Sequence, residues 1–406
     1  MMIELFWLLL PIAAFSGWWI GRYRAHDKES ERPVPLPVDY LRGLNFLLNE
    51  QPDKAVDVFL KMVEVDSETV ETHLALGSLF RRRGEVDRAI RIHQNLIARP
   101  NLSTKQRLTA LYHLGLDYMG AGVLDRAENL FTQLVSSEDF RELSLRQLLE
   151  IYQQQRDWEQ AIKIVEQLES EGNVVRHMLT HLHCELVEEA RTKGSFDHAQ
   201  KILKRANTLD ATHFRVQLLQ AQLLNDNAYY KQALKIYAQL VLDKPESIPL
   251  LLPEIAGLYQ TLGKPNEFVQ FLREKATRLK NEPEIALLLN VLFLYEQDVT
   301  FIEETLDKIH GRANLWSLRL LILIFLEKSI GFGQDYLQQL KAFVEKLMNE
   351  RAGFQCRQCG FSGHEFYWQC PSCKTWDTVK PVHGSLLFEL HPNQTLLTVN
   401  TLDNKE

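Results

Sequence analysis

The sequence predicts an all-α fold, a superhelical solenoid of stacked helical hairpins, preceded by one apolar helix and followed by a small cysteine-rich module. Three observations predict it. A four-residue turn pattern ending in alanine recurs at a nearly constant period, four of the five cysteines form two C-x-x-C pairs, and an almost unbroken apolar run opens the chain. The 406 residues are 45% apolar and 24% charged, with a formal net charge of −7, so the chain is globular material. A nucleic-acid binder shows a basic stripe, and none is present, which argues against nucleic acid as a partner. A secreted disulfide framework would spread its cysteines along a shorter chain, so their clustering favours a reducing compartment.

The apolar run covers residues 5–20, broken by Pro11, Ser16 and Gly17, and residues 1–21 together reach the roughly 20 residues that a spanning helix needs. The only early charge is Glu4, whereas a cleaved signal peptide would carry positive charge there. Arg22 and Arg24 follow the run at once, with Trp18, Trp19 and Tyr23 at the same end. The positive-inside tendency and the interfacial preference of aromatic rings then predict an uncleaved single-pass anchor. Its N-terminus is expected to face outward, and the bulk of the chain to lie in the cytoplasm. Residues 22–37, with Pro33, Pro35 and Pro37 among charges, read as a short stiff tether.

The repeated turns end at Ala55, Ala89, Ala127, Ala161, Ala199 and Ala233, with separations of 34, 38, 34, 38 and 34 residues. Twelve residues before the alanine stands a small residue, Gly43, Gly77, Gly115 or Ala221, replaced by Leu149 and Val187 in the fourth and fifth units. Three residues after it comes Phe46, Phe80, Tyr118, Tyr152 or Leu224, and four after the alanine comes Phe59, Phe131 or Tyr237. Small residues let two antiparallel helices approach closely, and the large ones fill the space beside them. Residues 38–245 thereby resemble the tetratricopeptide-repeat family, in six clear units. Residues 246–350 are expected to continue and cap the array as degenerate hairpins, with a seventh unit at Asn266-Glu267-Phe268 where glutamate takes the place of alanine.

Such arrays bind partners along the groove lined by first helices. Groove positions would include Glu71, Leu74, Arg81 and Arg82 in the second unit and His181, Cys184, Glu188 and Arg191 in the fifth. For any one of them an ordinary solvated face is the competing reading. His177, His181, Cys184 and Glu188 are spaced to share one helical face. A metal or nucleophilic role would need three such groups to converge; His177 is expected to precede the helix and Cys184 to pack.

Cys356/Cys359 and Cys370/Cys373 are two C-x-x-C knuckles ten residues apart. A two-residue spacer brings both thiolates of a knuckle to one ion, and two knuckles close a four-thiolate tetrahedron. One zinc is expected, with iron as the alternative, since sulfur tetrahedra suit both. A closed shell of this kind is structural. Phe361, Phe366, Tyr367, Trp368 and Trp376 supply a miniature core for residues 353–385, which could not fold unaided, and residues 386–406 form a tail. The knuckles resemble the rubredoxin family, C-x-x-C-G then C-P-x-C, but the loop between them is shorter and Lys374 replaces the usual glycine. An iron electron carrier is therefore the weaker reading. No P-loop exists: Gly257 to Lys264 has one spacer too many, and Pro265 stands where Ser or Thr should be. No residue has a catalytic pattern, and the chain is expected to hold partners and not to be an enzyme.

The order of anchor, repeats and metal module resembles the lipopolysaccharide assembly protein B family of Gram-negative bacteria over essentially the full chain. That resemblance implies an inner-membrane regulator of lipopolysaccharide synthesis. It would present the committed-step deacetylase of lipid A synthesis to a membrane-anchored AAA+ protease and help assemble the export proteins, with a homo-oligomer possible. A membrane-tethered assembly scaffold with other clients would share every motif.

Overall fold

In the computed structural model the described residues are 70–168, 173–279, 282–296, 298–306, 314–328 and 334–382, with a few helical positions between 41 and 58. The anchor, the tether and the tail 386–406 lie outside them, as does most of the first repeat. Among the described residues, no helix is long and apolar enough to cross a membrane. The fold class is the one the spacing predicts, all-α hairpins followed by a small β module. The chain divides into two units, 1–151 and 152–406.

In the first unit, helices α1 (Val70–Arg82) and α2 (Val86–Ile97) form one hairpin, and α3 (Thr104–Gly120) and α4 (Leu124–Leu134) the next. Helix α5 (Arg141–Gln155) crosses into the second unit. A capping box starts α3: Ser103 accepts from the Gln106 amide while Gln106 reaches back to the Ser103 amide. The crossing of each hairpin depends on the small positions. Ala89 and Ala127 have no exposure, and a Cβ at Gly77 would stand 2.4 Å from the His93 ring, one at Gly115 2.7 Å from Phe131. His93 and Phe131 lie four residues after the two alanines, so the large residue of the second helix fills the space left by the missing methyl group.

First helices end alike in both units. Gly84 (φ +79°) and Gly122 (φ +73°) adopt the left-handed conformation, and the following amides bond back, Glu85 to Phe80 and Val123 to Tyr118, each at 2.9 Å. This is the 6→1 closure of a Schellman end. In the second unit, Gly194 and Gly263 repeat it, and so do Arg156 (φ 59°) and Ala228 (φ 60°), where a side chain carries the left-handed strain. Their closures are Ser195 to Ala190 (2.9 Å), Lys264 to Tyr259 (3.0 Å), Asp157 to Tyr152 and Tyr229 to Leu224 (both 2.8 Å).

The second unit contains α6 (Trp158–Gln167), α7 (Asn173–Thr192), α8 (Phe196–Leu209), α9 (Phe214–Asp226), α10 (Tyr230–Asp243), α11 (Ile248–Thr261) and α12 (Pro265–Arg278). Two statements made from sequence are corrected here. His177 lies inside α7, not before it. The seventh hairpin is in phase one residue later than the spacing predicts: the Phe268 amide bonds the Lys264 carbonyl (3.2 Å) as Ala233 bonds Tyr229 (3.1 Å). The alanine position is thus occupied by buried Phe268, with Ala256 as its small partner twelve residues earlier, while Glu267 faces solvent and pairs with Lys264. One extra residue in the link, which contains Lys244 and Pro245, shifted the period.

Beyond it lie α13 (Ile285–Tyr295), α14 (Val299–Leu306), α15 (Leu315–Lys328) and α16 (Gln334–Glu350). Every residue of α13 from Ile285 to Phe293 is buried, so this helix runs through the core. Its one buried amide side chain is satisfied: Asn290 donates to the Trp316 carbonyl (2.8 Å) and accepts from Arg319 (2.8 Å), which also holds Glu345 of α16 (3.0 Å). The chain ends its described part in a three-stranded antiparallel sheet, β1 (Phe354–Cys356) between β2 (Ser362–Gly363) and β3 (Val379–Pro381).

Helix propensity favours alanine over glycine by about 1 kcal/mol, whereas forcing a methyl group into a filled crossing costs about 1–3 kcal/mol. Gly115→Ala is therefore expected to lower the thermal midpoint, and adding Phe131→Leu should restore part of the loss. A higher midpoint for Gly115→Ala alone would show that the crossing is not close-packed.

Candidate metal centre and the helices beneath it

The two knuckles are built alike. Gly360 follows Cys359 at φ +79° and donates to the Cys356 carbonyl (3.1 Å); Lys374 follows Cys373 at φ +57° and donates to the Cys370 carbonyl (2.9 Å). Lysine thus adopts the conformation for which the rubredoxin pattern has glycine. The knuckles face each other so that Cys356 and Cys373 sulfurs are 3.8 Å apart and those of Cys359 and Cys370 are 3.7 Å apart. A tetrahedron with metal–sulfur bonds of about 2.3 Å has edges of about 3.8 Å, so the four residues fit one ion. All four ligand atoms lie within 4.8 Å of one another.

The polar groups around the sulfurs favour thiolates. The Thr378 hydroxyl (3.3 Å), then the amides of Cys359 and Gln358, outweigh burial and bring the Cys356 thiol down to about 6. The Thr375 hydroxyl and amide lower Cys373, while burial pushes Cys370 up to about 11. A cation on the four sulfurs supplies what Cys370 lacks.

The module packs on helices of its own unit. Phe354, Cys356, Cys370 and Val379 form a small core against Leu250 of α11, and the Gln369 amide donates to Gln153 at the end of α5 (3.0 Å). At the centre is Arg215 of α9, fully buried. Its guanidinium lies 4.9 Å from the Trp368 ring and 5.9 Å from that of Trp376, and it donates to Glu185 (2.8 Å) and Glu188 (3.0 Å) of α7. Burial works against the Arg215 charge, but Glu188 and Glu185 outweigh it and hold the guanidinium above its ordinary value. Trp376 also stacks on His181, with ring centroids 4.9 Å apart and planes at 20°.

The groove positions named from sequence fare differently. Arg82 and Glu71 are exposed and Leu74 is half-buried. Arg81 is tied to Asp117 (2.6 Å), which also holds the buried His93. Arg191 is bound to Asp226 (2.5 Å) and Gln222 (3.1 Å), and Glu188 to Arg215. His181 does not line an open groove, because the metal module covers it. The proposed face of four does not converge: Cys184 packs into a separate core with Val187 and Leu203, where burial pushes its thiol up to about 12. Instead His213, from the start of α9, joins His177 and His181. Sequence reasoning missed Arg215 and His213. Their signals were an arginine among apolar residues in Phe214-Arg215-Val216, carboxylates spaced i, i+3 at Glu185 and Glu188, and two tryptophans in a module too small to bury them.

Helical hairpins carrying a rubredoxin-type ribbon locked to their helices define a tetratricopeptide-repeat protein with a built-in metal module. Family profiles agree: one described as a tetratricopeptide repeat matches residues 72–105, and one described as a rubredoxin metal binding domain matches residues 354–381. Lipopolysaccharide assembly protein B of Escherichia coli K12 is 37% identical over 387 residues, covering 94% of this chain and 99% of the relative. The protein of the same name from Haemophilus influenzae is 36% identical over 405 residues, covering 94% and 98%. The chain belongs to the lipopolysaccharide assembly protein B family.

Two outcomes test the site. Thr378→Val removes the largest influence lowering Cys356, so that thiol rises toward 9 and protons compete better for it. Metal affinity should fall by about 10–100-fold near pH 7, as for other groups that support ligands, and the deficit should vanish above pH 9. An unchanged competition titration with a chelator would count against the role of Thr378. Arg215→Ala leaves the half-buried Glu185 and Glu188 without their buried partner; breaking a fully buried pair costs about 3–5 kcal/mol, and solvent at the two carboxylates brings the cost below that. The substitution should lower the thermal midpoint and expose the 353–382 module to proteolysis while α1–α4 stay protected; equal protection of the module would show that Arg215 does not hold it.

Proposed function

We propose that this chain is a non-enzymatic inner-membrane adaptor that regulates lipopolysaccharide synthesis. The observation that carries the reading is its 37% identity, over nearly the whole of both chains, to a protein named for lipopolysaccharide assembly. Residues 1–21 anchor it with the N-terminus in the periplasm, and the repeats lie in the cytoplasm close to the bilayer. Tethering raises the effective concentration of the repeats toward other membrane-bound proteins. Their clients are the committed-step lipid A deacetylase and a membrane-anchored AAA+ protease, to which the deacetylase is presented, together with proteins of lipopolysaccharide export. Arg82, which is exposed, and Arg81 and Arg191, which are partly so, are the groove positions best placed to meet a client.

Cys356, Cys359, Cys370 and Cys373 hold one zinc, which supplies a structural crosslink and no open coordination position. Through Trp368, Trp376 and Arg215 the metal-bound ribbon fixes how α7 and α9 present their faces. Loss of the ion then acts on partner binding without any chemistry at the site.

The test is a pull-down from solubilised membranes that reads metal content and bound proteins together. The intact chain should carry zinc and retain both deacetylase and protease, whereas serine at 356, 359, 370 and 373 should abolish retention. Retention of neither protein by the intact chain would overturn the assigned clients, and iron in place of zinc would move the ribbon toward electron transfer.

A further inference from the structure

Away from the four cysteines, three imidazoles converge. His177 and His181 stand one turn apart on α7, and His213 sits at the N-cap of α9. Their ring centroids are 4.6, 5.3 and 4.7 Å apart, and one nitrogen of each lies within 4.8 Å of the others. His181 is fully buried and His213 is 8% exposed, while His177 is half-buried and opens the cluster to solvent. Two of the ring nitrogens, His181 Nε2 and His213 Nδ1, are buried without any hydrogen-bond partner. Burying a ring nitrogen without a partner is costly to the fold, and two in one cluster mark a place where ring nitrogens are free to meet a ligand.

We propose that His177, His181 and His213 form a second metal site, for a borderline divalent cation such as zinc, distinct from the four-cysteine centre. Imidazole suits zinc, nickel and copper ions, and three imidazoles with one face toward solvent leave a fourth position for water. A tetrahedral ion with metal–nitrogen bonds of about 2.0–2.1 Å needs its ligands about 3.4 Å apart. The ligand atoms lie within 4.8 Å of one another, so binding draws the rings together by about 1.4 Å at most, and His177 is the least confined of the three.

The surroundings keep the rings neutral and so able to ligate. Burial, then Arg215 and the neighbouring histidines, hold His181 far below its ordinary value, and burial with His177 brings His213 to about 4. The cationic neighbours are balanced: Arg215 by Glu185 and Glu188, and Lys244, which acts on His213, by Asp377 and Asp210. Lys380 also acts on His181 and is paired to Asp377 (3.1 Å). One rearrangement accompanies binding. Arg215 Nη1 can only donate, and it lies 3.4 Å from His181 Nδ1, so the free ring carries its proton on Nε2. An ion on Nε2 moves that proton to Nδ1 and releases the long contact, and Arg215 keeps both carboxylates.

The test is a metal count on the full, untagged chain in detergent, titrated with zinc and dialysed, against His177→Ala and His213→Gln. The intact chain should retain one more ion than either variant, with the cysteine-bound ion present in all three. His177→Ala removes a half-exposed ring, and an unchanged circular dichroism spectrum and tryptophan fluorescence will show that it still folds. Cobalt(II) separates the sites, since only the cysteine centre gives sulfur-to-metal charge transfer. Absorption without that band should appear with the second equivalent in the intact chain and be lost in His177→Ala. Saturation of the intact chain at a single ion, or an equal count in His177→Ala, overturns the proposal.

Discussion

The buried guanidinium of Arg215 is the constraint on which the second unit depends. A fully desolvated charge is tolerable only where opposite charges and hydrogen bonds replace water. Here α7 supplies Glu185 and Glu188, and the metal module closes the remaining side with the faces of Trp368 and Trp376. Three separate stretches of chain must be in place together for that charge to be buried. The ribbon, whose own core is four buried residues, gains most of its footing from the helices under it.

A second, distributed constraint sets the hairpins. The first helix of a unit gives up volume where the second helix supplies it, as Gly77 does to His93 and Gly115 to Phe131. Ala221 and Tyr237 follow the same rule within one core. In the fifth unit the small position grows to Val187 and its counterpart becomes Leu203, and in the fourth Leu149 faces Val165, aliphatic residues where the second, third and sixth units have a ring. The hairpin keeps its close crossing by exchanging volume across it and not by keeping any one residue. The left-handed end of each first helix is equally insensitive to residue type, because Arg156 and Ala228 adopt it when the 6→1 bond requires it.

These constraints link the four-cysteine site to helices beyond it. Four thiolates hold the knuckles, the knuckles aim Trp376 and Trp368, and the tryptophans cover Arg215 and His181. The four cysteines all belong to the ribbon, yet Arg215 and His181 of the helices are covered by the tryptophans of that same ribbon.

The sequence by itself determined the hairpins and the clustering of the four cysteines, because both are local: a period, a small residue at a fixed offset, and a two-residue spacer between thiols. The same locality explains why Gly360 was legible in the C-x-x-C-G pattern. What only the tertiary structure decided is where distant segments meet. The phase of the seventh hairpin moved by one residue because link length is not set by the repeat, so Phe268 and not Glu267 took the crossing. His181 left the groove because a module some 190 residues onward in the chain covers it. Arg215 and His213 belong to the site for the same reason: their partners lie on another helix and on the ribbon, and the free energy of burying a charge is decided by those partners and not by its neighbours in sequence.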